Sequence, residues 1–266
     1  MDLEAVTQTQ QAMWSTGDFH RIGVAQVIVG ERLVRSVGVR AGERVLDVAA
    51  GAGNTALAAA RRWAVVTASD YVPDLLDRAQ VRAEAEGLQL ATEVADVQQL
   101  PFGDASYDVV TSTFGAMFAP DQQRTAHELL RVLPSGGRLG MANWVPDGYV
   151  GELFALGARY VPPPPGVLPP VRWGTQEGLR ELLGGGVVDI RSRQRTCEFV
   201  YPSVDFMVEY FRTWFGPTAT QFAAVDSDGQ AALTKDTAAL IGKHNVATDG
   251  TVIVPSGYLE VVATKA

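Results

Sequence analysis

With a single cysteine, Cys197, the chain can form no intrachain disulfide and no cysteine zinc cluster. Basic residues are in deficit. Lys and Arg number 22 against 30 acids, a net charge of −8 that does not favour a phosphate-backbone partner. No run of 18 apolar residues occurs, and the stretch 45–60 is interrupted by Asp47, Asn54 and Thr55, so no membrane-spanning helix is expected. Residues 1–11 carry two acids, no base and no apolar core, which argues against a secretory leader. The expectation is a soluble, cytoplasmic protein with no metal site, no membrane partner and no nucleic-acid partner. There is no internal repeat. At 47% hydrophobic and 20% charged residues, the 266-residue chain has enough apolar material for a substantial core, which excludes a mostly disordered chain.

What is present is an alternation of short apolar runs and helical segments. The N-terminus reads as two helices separated by residues 15–18. The second starts near Asp18 and carries Ile22, Ala25, Val29, Leu33 and Val37 on one face. Strands are expected at 44–50, 65–69, 90–97, 107–114 and 138–144, with helices at 54–62, 73–86 and 121–133 between them. Pro73 and Asp74 suit a helix start, and Gly87 suits its stop. The strands are almost continuously apolar, as in a parallel sheet covered on both faces.

Beyond Trp144 the pattern loosens. Helices are expected at 148–160, 175–183 and 203–215. A proline-rich loop spans 161–170, a long strand 187–200, and a final strand 259–264. Met207, Tyr210, Phe211 and Trp214 form a helical stripe, suited either to core packing or to roofing an apolar guest.

In an open parallel sheet ligands bind at the carboxyl ends of strands, and four such places hold suggestive residues. After the first strand, Gly51 and Gly53 permit close approach to the main chain, and Asp47 lies within the strand. Asp70 ends the second strand, 19 residues beyond Gly51, where a carboxylate can accept from both hydroxyls of a ribose. Asp96 and Val97 follow the third strand and can pair with an adenine edge. The turn from Thr113 to Phe118 follows the fourth.

These residues carry a resemblance. VLDVAAGAGN, ASD ending at Asp70, ADVQQLPFGDASYDVV and ELLRVLPSGGRL resemble, in order, the motifs of the class I S-adenosylmethionine-dependent methyltransferases, especially the small-molecule group related to ubiquinone and menaquinone biosynthesis. Pro134-Ser135-Gly136-Gly137 stands where that family has Arg-Pro-Gly-Gly. AMWSTGDFHRIG resembles the family's N-terminal lid, with Phe19 where Tyr is common.

The resemblance implies a Rossmann-like, doubly wound α/β fold, with a mostly parallel seven-stranded sheet, N-terminal lid helices and a small helical cap. Residues 1–40 would be the lid, 41–200 the cofactor-binding core, 201–250 the cap insertion and 251–266 a strand returning to the sheet. It implies S-adenosylmethionine as cofactor and S-adenosylhomocysteine as product. Asp47 would face the methionine amino group through water, and Gly51 and Gly53 would line the methionine portion beside Ala49 and Asn54. Asp70 would hold the ribose, Asp96 and Val97 the adenine, and Tyr71 would pack beside it. Thr113 and Phe114 would meet the amino group through their carbonyls, and Trp14 and Phe19 would close over the cofactor.

The implied reaction is in-line methyl displacement onto a small, apolar or aromatic acceptor. It asks the protein mainly for positioning and exclusion of water. His20 is the candidate base. Two other readings stay open: a protein of this fold without methyl transfer, and a nicotinamide dehydrogenase. Gly51-Ala52-Gly53-Asn54-Thr55-Ala56 does fit G-x-G-x-x-A, but no Tyr-x-x-x-Lys pattern accompanies it.

Overall fold

The computed structural model describes residues 2–266. Its centre is one seven-stranded sheet with strands β1 (Arg44–Val48), β2 (Val65–Asp70), β3 (Ala91–Val94), β4 (Val109–Thr113), β5 (Arg138–Trp144), β6 (Val187–Tyr201) and β7 (Val252–Lys265). The spatial order is β3-β2-β1-β4-β5-β7-β6. β1 to β5 run parallel, and β7 is antiparallel to both of its neighbours. The chain winds outward from β1 to β3, then returns to place β4 on the other side of β1. That reversal opens a crevice at the carboxyl tips of β1 and β4.

Helices cover both faces. α1 (Leu3–Trp14), α2 (Phe19–Gly23) and α3 (Val27–Val37) precede the sheet. The single helix expected from Asp18 is in fact broken, with a 3-10 turn at Val24–Gln26 separating α2 from α3. α4 (Asn54–Ala60) follows β1, α5 (Pro73–Ala85) follows β2, and α6 (Gln122–Arg131) follows β4. α4 is Ala-rich and buried from Thr55 to Ala60. Its small side chains let α3 cross closely, so that a Cβ at Gly30 would lie 3.0 Å from the Thr55 Cα. Val45, Leu46 and Val48 of β1 are wholly buried between these layers. Burying such a side chain is worth about 1.5–3 kcal/mol, so the strand that carries Asp47 is among the most firmly held parts of the chain.

The later part is more regular than its sequence suggests. α7 (Tyr149–Tyr160) and α8 (Gln176–Leu183) precede β6. Three helices, α9 (Val204–Trp214), α10 (Gly216–Ala224) and α11 (Ser227–His244), connect β6 to β7. β7 starts at Val252 rather than 259 and pairs with β6 along its whole length. Its pairing with β5 begins only at Tyr258. Pro255 therefore sits where the strand has one neighbour, a position that tolerates a missing N–H. Among the described residues no helix is long and apolar enough to cross a membrane, and no cluster of potential metal ligands occurs.

Candidate functional site

The loop leaving β1 is built from left-handed backbone. Ala49, Gly51 and Gly53 have φ of 47°, 54° and 79°. For Ala49 this conformation is strained. Phe114, at the tip of β4, is a second strained residue with φ 60°. Its ring stacks on Trp144 with centroids 3.7 Å apart. Gly115 follows, and a Cβ there would fall 2.3 Å from the Ala49 carbonyl oxygen. The two strained turns are thus packed against each other at the mouth of the crevice.

Asp47 is 1% exposed. Its carboxylate accepts from the Thr111 hydroxyl at 2.8 Å and from the Ala56 N–H at 2.9 Å. Burial pushes its pKa from the ordinary 3.8 up to about 7. The two hydrogen bonds oppose that rise, and the nearby Asp70 charge adds to it. Asp70 is also buried and also raised by desolvation. It accepts from the N–H groups of Gly51 and Val72, both at 2.9 Å, tying the β1 loop to the tip of β2. A carboxylate has about four acceptor positions, so Asp70 keeps capacity for a further donor.

At the exit of β3, Asp96 accepts from the Gln98 N–H at 2.8 Å, and its two oxygens receive the Gln98 amide at 3.1 and 2.9 Å. Gln98 is itself buried. It also donates to Thr7 of α1 and accepts from the Asp121 N–H. It therefore clamps the acidic tip to the N-terminal helix.

These tips enclose a cavity that is open on one side. Asp47, Ala49, Gly51 and Asn54 line it from the β1 loop, Asp70 and Tyr71 from β2, and Asp96 and Val97 from the β3 exit. Thr113 and Phe114 come from β4, while Trp14, Phe19 and His20 close it from the N-terminal segment. Gly53 does not line it. A Cβ there would meet the Ala79 Cβ at 2.8 Å, so this glycine serves the approach of α5 to the start of α4. Asn54 is on the wall, but its amide is engaged within the protein, donating to the Gly23 carbonyl and accepting from Arg82. Burial first, and then the Arg82 charge, lower the pKa of His20; Asp18 works in the opposite direction. His127 is exposed on α6, and His244 ends α11 rather than lying in an irregular tail.

The sequence reading missed Thr7, Gln26, Thr55 and Gln98, all of which line the cavity. Only Gln98 had a local signal, its position two residues beyond Asp96.

A second, smaller cavity adjoins the first. Trp14, Phe19, Gln26, Phe114 and Phe118 line both. Nine of the thirteen residues on its wall are aromatic, among them Phe154, Phe199, Phe211 and Phe215. Of the stripe expected on α9, only Phe211 reaches this wall. Met207 is core, and Trp214 lies under the Arg21 guanidinium at 4.2 Å. The N-terminal segment is clipped to α9. The Asp18 N–H donates to the Trp214 carbonyl at 3.0 Å, and Trp14 packs edge-on against Phe118 and Phe215.

With this geometry established, comparison with known proteins identifies the group. A family model described as a methyltransferase domain matches residues 45–137. An uncharacterized protein of Mycobacterium tuberculosis is 40% identical over 238 residues, covering 88% of this chain and 86% of its own. A demethylmenaquinone methyltransferase of Deinococcus radiodurans is 39% identical over 129 residues, 47% of this chain and 54% of that protein. The chain belongs to the class I S-adenosylmethionine-dependent methyltransferases. The crystal structure of a putative methyltransferase from Bacillus halodurans shares the fold, with a TM-score of 0.60 and 22% identity, covering 88% of this chain and 96% of that one.

S-adenosylmethionine is the cofactor of this family. The residues present suit it. Asp70 is a buried carboxylate with spare acceptor capacity. A side chain at Gly51 would project toward Phe19, at 3.6 Å, across space that the glycine leaves clear. The family assignment displaces the nicotinamide alternative.

Proposed function

We propose that the chain transfers a methyl group from S-adenosylmethionine to a small, largely apolar and aromatic acceptor. The observation that carries this reading is the second cavity, an aromatic chamber that shares five wall residues, Trp14, Phe19, Gln26, Phe114 and Phe118, with the first.

In this reading Asp70 holds the ribose hydroxyls, and Asp96 with the Val97 N–H holds the adenine, with Tyr71 beside it. Asp47, Ala49 and Gly51 line the methionine portion, and the Thr113 and Phe114 carbonyls face its amino group. When bound, the cofactor supplies a methyl made electrophilic by the sulfonium. The protein contributes alignment and dryness. Trp14 and Phe19 cover the junction, and the aromatic wall holds the acceptor facing it. His20, whose pKa is lowered by burial and then by the Arg82 charge, takes the proton from a hydroxyl acceptor. Residues 1–40 serve as the lid on a core spanning 41–200, residues 201–250 as the cap, and 251–266 complete the sheet. The setting is cytoplasmic, with no nucleic-acid or membrane partner.

Incubation with methyl-labelled S-adenosylmethionine and a panel of naphthols, quinols and arylamines tests this. The expected result is label in at least one flat aromatic acceptor. His20→Asn should slow transfer to naphthols more than to arylamines, which attack as neutral amines. No transfer to any acceptor, with tight S-adenosylhomocysteine binding, would instead support a family member that holds the cofactor without methyl transfer.

A further inference from the structure

Between the two cavities stands a polar side chain that no sequence pattern singled out. Gln26 closes the 3-10 turn between α2 and α3, is 6% exposed, and lines both chambers. Among the described residues nothing hydrogen-bonds its side-chain amide. Two other buried glutamines differ. Gln98 bridges Thr7, Asp96 and Asp121, and Gln122 donates to the carbonyls of Leu168 and Pro169. The Gln26 amide is not among the buried polar atoms left without a partner, so it is open to the cavity. A guest that fills the cavity displaces water from this amide and has to replace its hydrogen bonds.

The rest of the aromatic chamber sharpens this. Its other twelve wall residues are Phe, Trp, Ile, Val and Leu, so none carries a charge or titrates. Apart from the indole N–H groups of Trp14 and Trp144, Gln26 supplies the only polar side-chain atoms. Among the described residues, its carbonyl oxygen is the only side-chain hydrogen-bond acceptor there. An apolar slot alone holds a flat ring in many orientations. One fixed amide at the boundary with the cofactor cavity selects among them.

We propose that Gln26 is the positioning and specificity-determining residue of the acceptor site, its amide hydrogen-bonding a single neutral hydroxyl or carbonyl on an otherwise apolar aromatic acceptor. This rests on the reading of the second cavity as the acceptor chamber. It narrows the substrate class to monohydroxylated or carbonyl-bearing rings. Guests with a phosphate, carboxylate or ammonium group are disfavoured, because the wall offers no opposite charge to replace their hydration.

The test measures binding of naphthalene, 1-naphthol and 1-naphthoate to the full-length protein saturated with S-adenosylhomocysteine, by calorimetry or by quenching of tryptophan emission. In the unmodified protein 1-naphthol should bind about fivefold or more tighter than naphthalene, as expected for one net hydrogen bond, and 1-naphthoate should bind weakest. Gln26→Met, close in shape but without the amide, should erase the naphthol advantage while naphthalene binds as well or better. A merely structural glutamine would shift both ligands together and leave their ratio intact. Should Gln26→Met lose its cooperative thermal transition, Gln26→Leu gives the same comparison. A naphthol advantage that survives the substitution overturns the role of Gln26 and leaves the chamber standing. If neither naphthalene nor naphthol binds while S-adenosylhomocysteine does, the acceptor-chamber reading itself falls.

Discussion

At the scale of single residues, Asp47 is the group whose ionisation the fold alters most usefully. Unfolded, it loses its proton near 3.8; folded, near 7. Between these values the folded chain holds a proton that the unfolded chain has released. Its contribution to stability is therefore greatest below the lower value and declines as pH rises toward 7. Asp47→Asn should flatten that part of the profile of Tm against pH. The asparagine can still accept from the Ala56 N–H and donate to the Thr111 hydroxyl. In the site proposed above, a bound ammonium favours the ionised carboxylate. S-adenosylhomocysteine should then bind more tightly as pH rises from 5 to 7, releasing protons. Calorimetry at pH 6 in two buffers of different ionisation enthalpy measures that release, and a release unchanged in Asp47→Asn would contradict the assignment.

Much of this cavity wall was legible residue by residue, because acids and glycines at strand tips have few other reasons to recur after successive strands. Gly53 was misread because a glycine admitting a neighbouring helix looks, in sequence, like one admitting a ligand. Gln26 and Thr7 were invisible because a polar residue in a helical segment carries no spacing signal until the fold shows which way it faces.

At the scale of elements, the decisive contact is the one between the N-terminal segment and α9. Gly17 has φ 78°, forms an isolated bridge with Phe215, and a Cβ there would lie 2.6 Å from the Trp214 carbonyl oxygen. Gly17→Val should open this clip, speeding release of S-adenosylhomocysteine in stopped-flow measurements. Gly42 has φ 81° and nothing within 4 Å of a Cβ, so Gly42→Val carries the same backbone strain, about 1–3 kcal/mol, without the contact. Equal release rates in the two variants would show that the clip does not retain the ligand.

Among the elements, β1, β2, β4 and β5 were readable because a buried parallel strand is a short apolar run bounded by turn residues, whereas β3 is a largely exposed edge strand. The start of β7 was hidden by Pro255 and Gly257, which read as a break and are tolerated only because β5 does not flank that part of the strand. α11 was missed because Gly229, Gly242 and scattered threonines blur its apolar face, and only Leu233, Thr237 and Ile241 are buried.

For the whole molecule, one sheet reversal explains the location of everything else. Winding out to β3 and back to β4 leaves the tips of β1 and β4 as a crevice. Trp14 and Phe19 of the N-terminal segment meet Phe211 of α9 and Phe215 there, so that a cavity with three acids on its wall adjoins an aromatic one. The order of the strands could be anticipated only through the family resemblance, since adjacency of β1 and β4 leaves no mark in local sequence. The central claim is that the acid-lined cavity is the seat of the adenosyl cofactor. Its most direct test is titration calorimetry of S-adenosylhomocysteine against the native chain and Asp70→Ala at pH 7.5. Loss of hydrogen bonds to the ribose should cost about 1–3 kcal/mol, or roughly 5- to 150-fold in Kd, with the variant still folded. An unchanged Kd would place the nucleoside elsewhere and contradict the account.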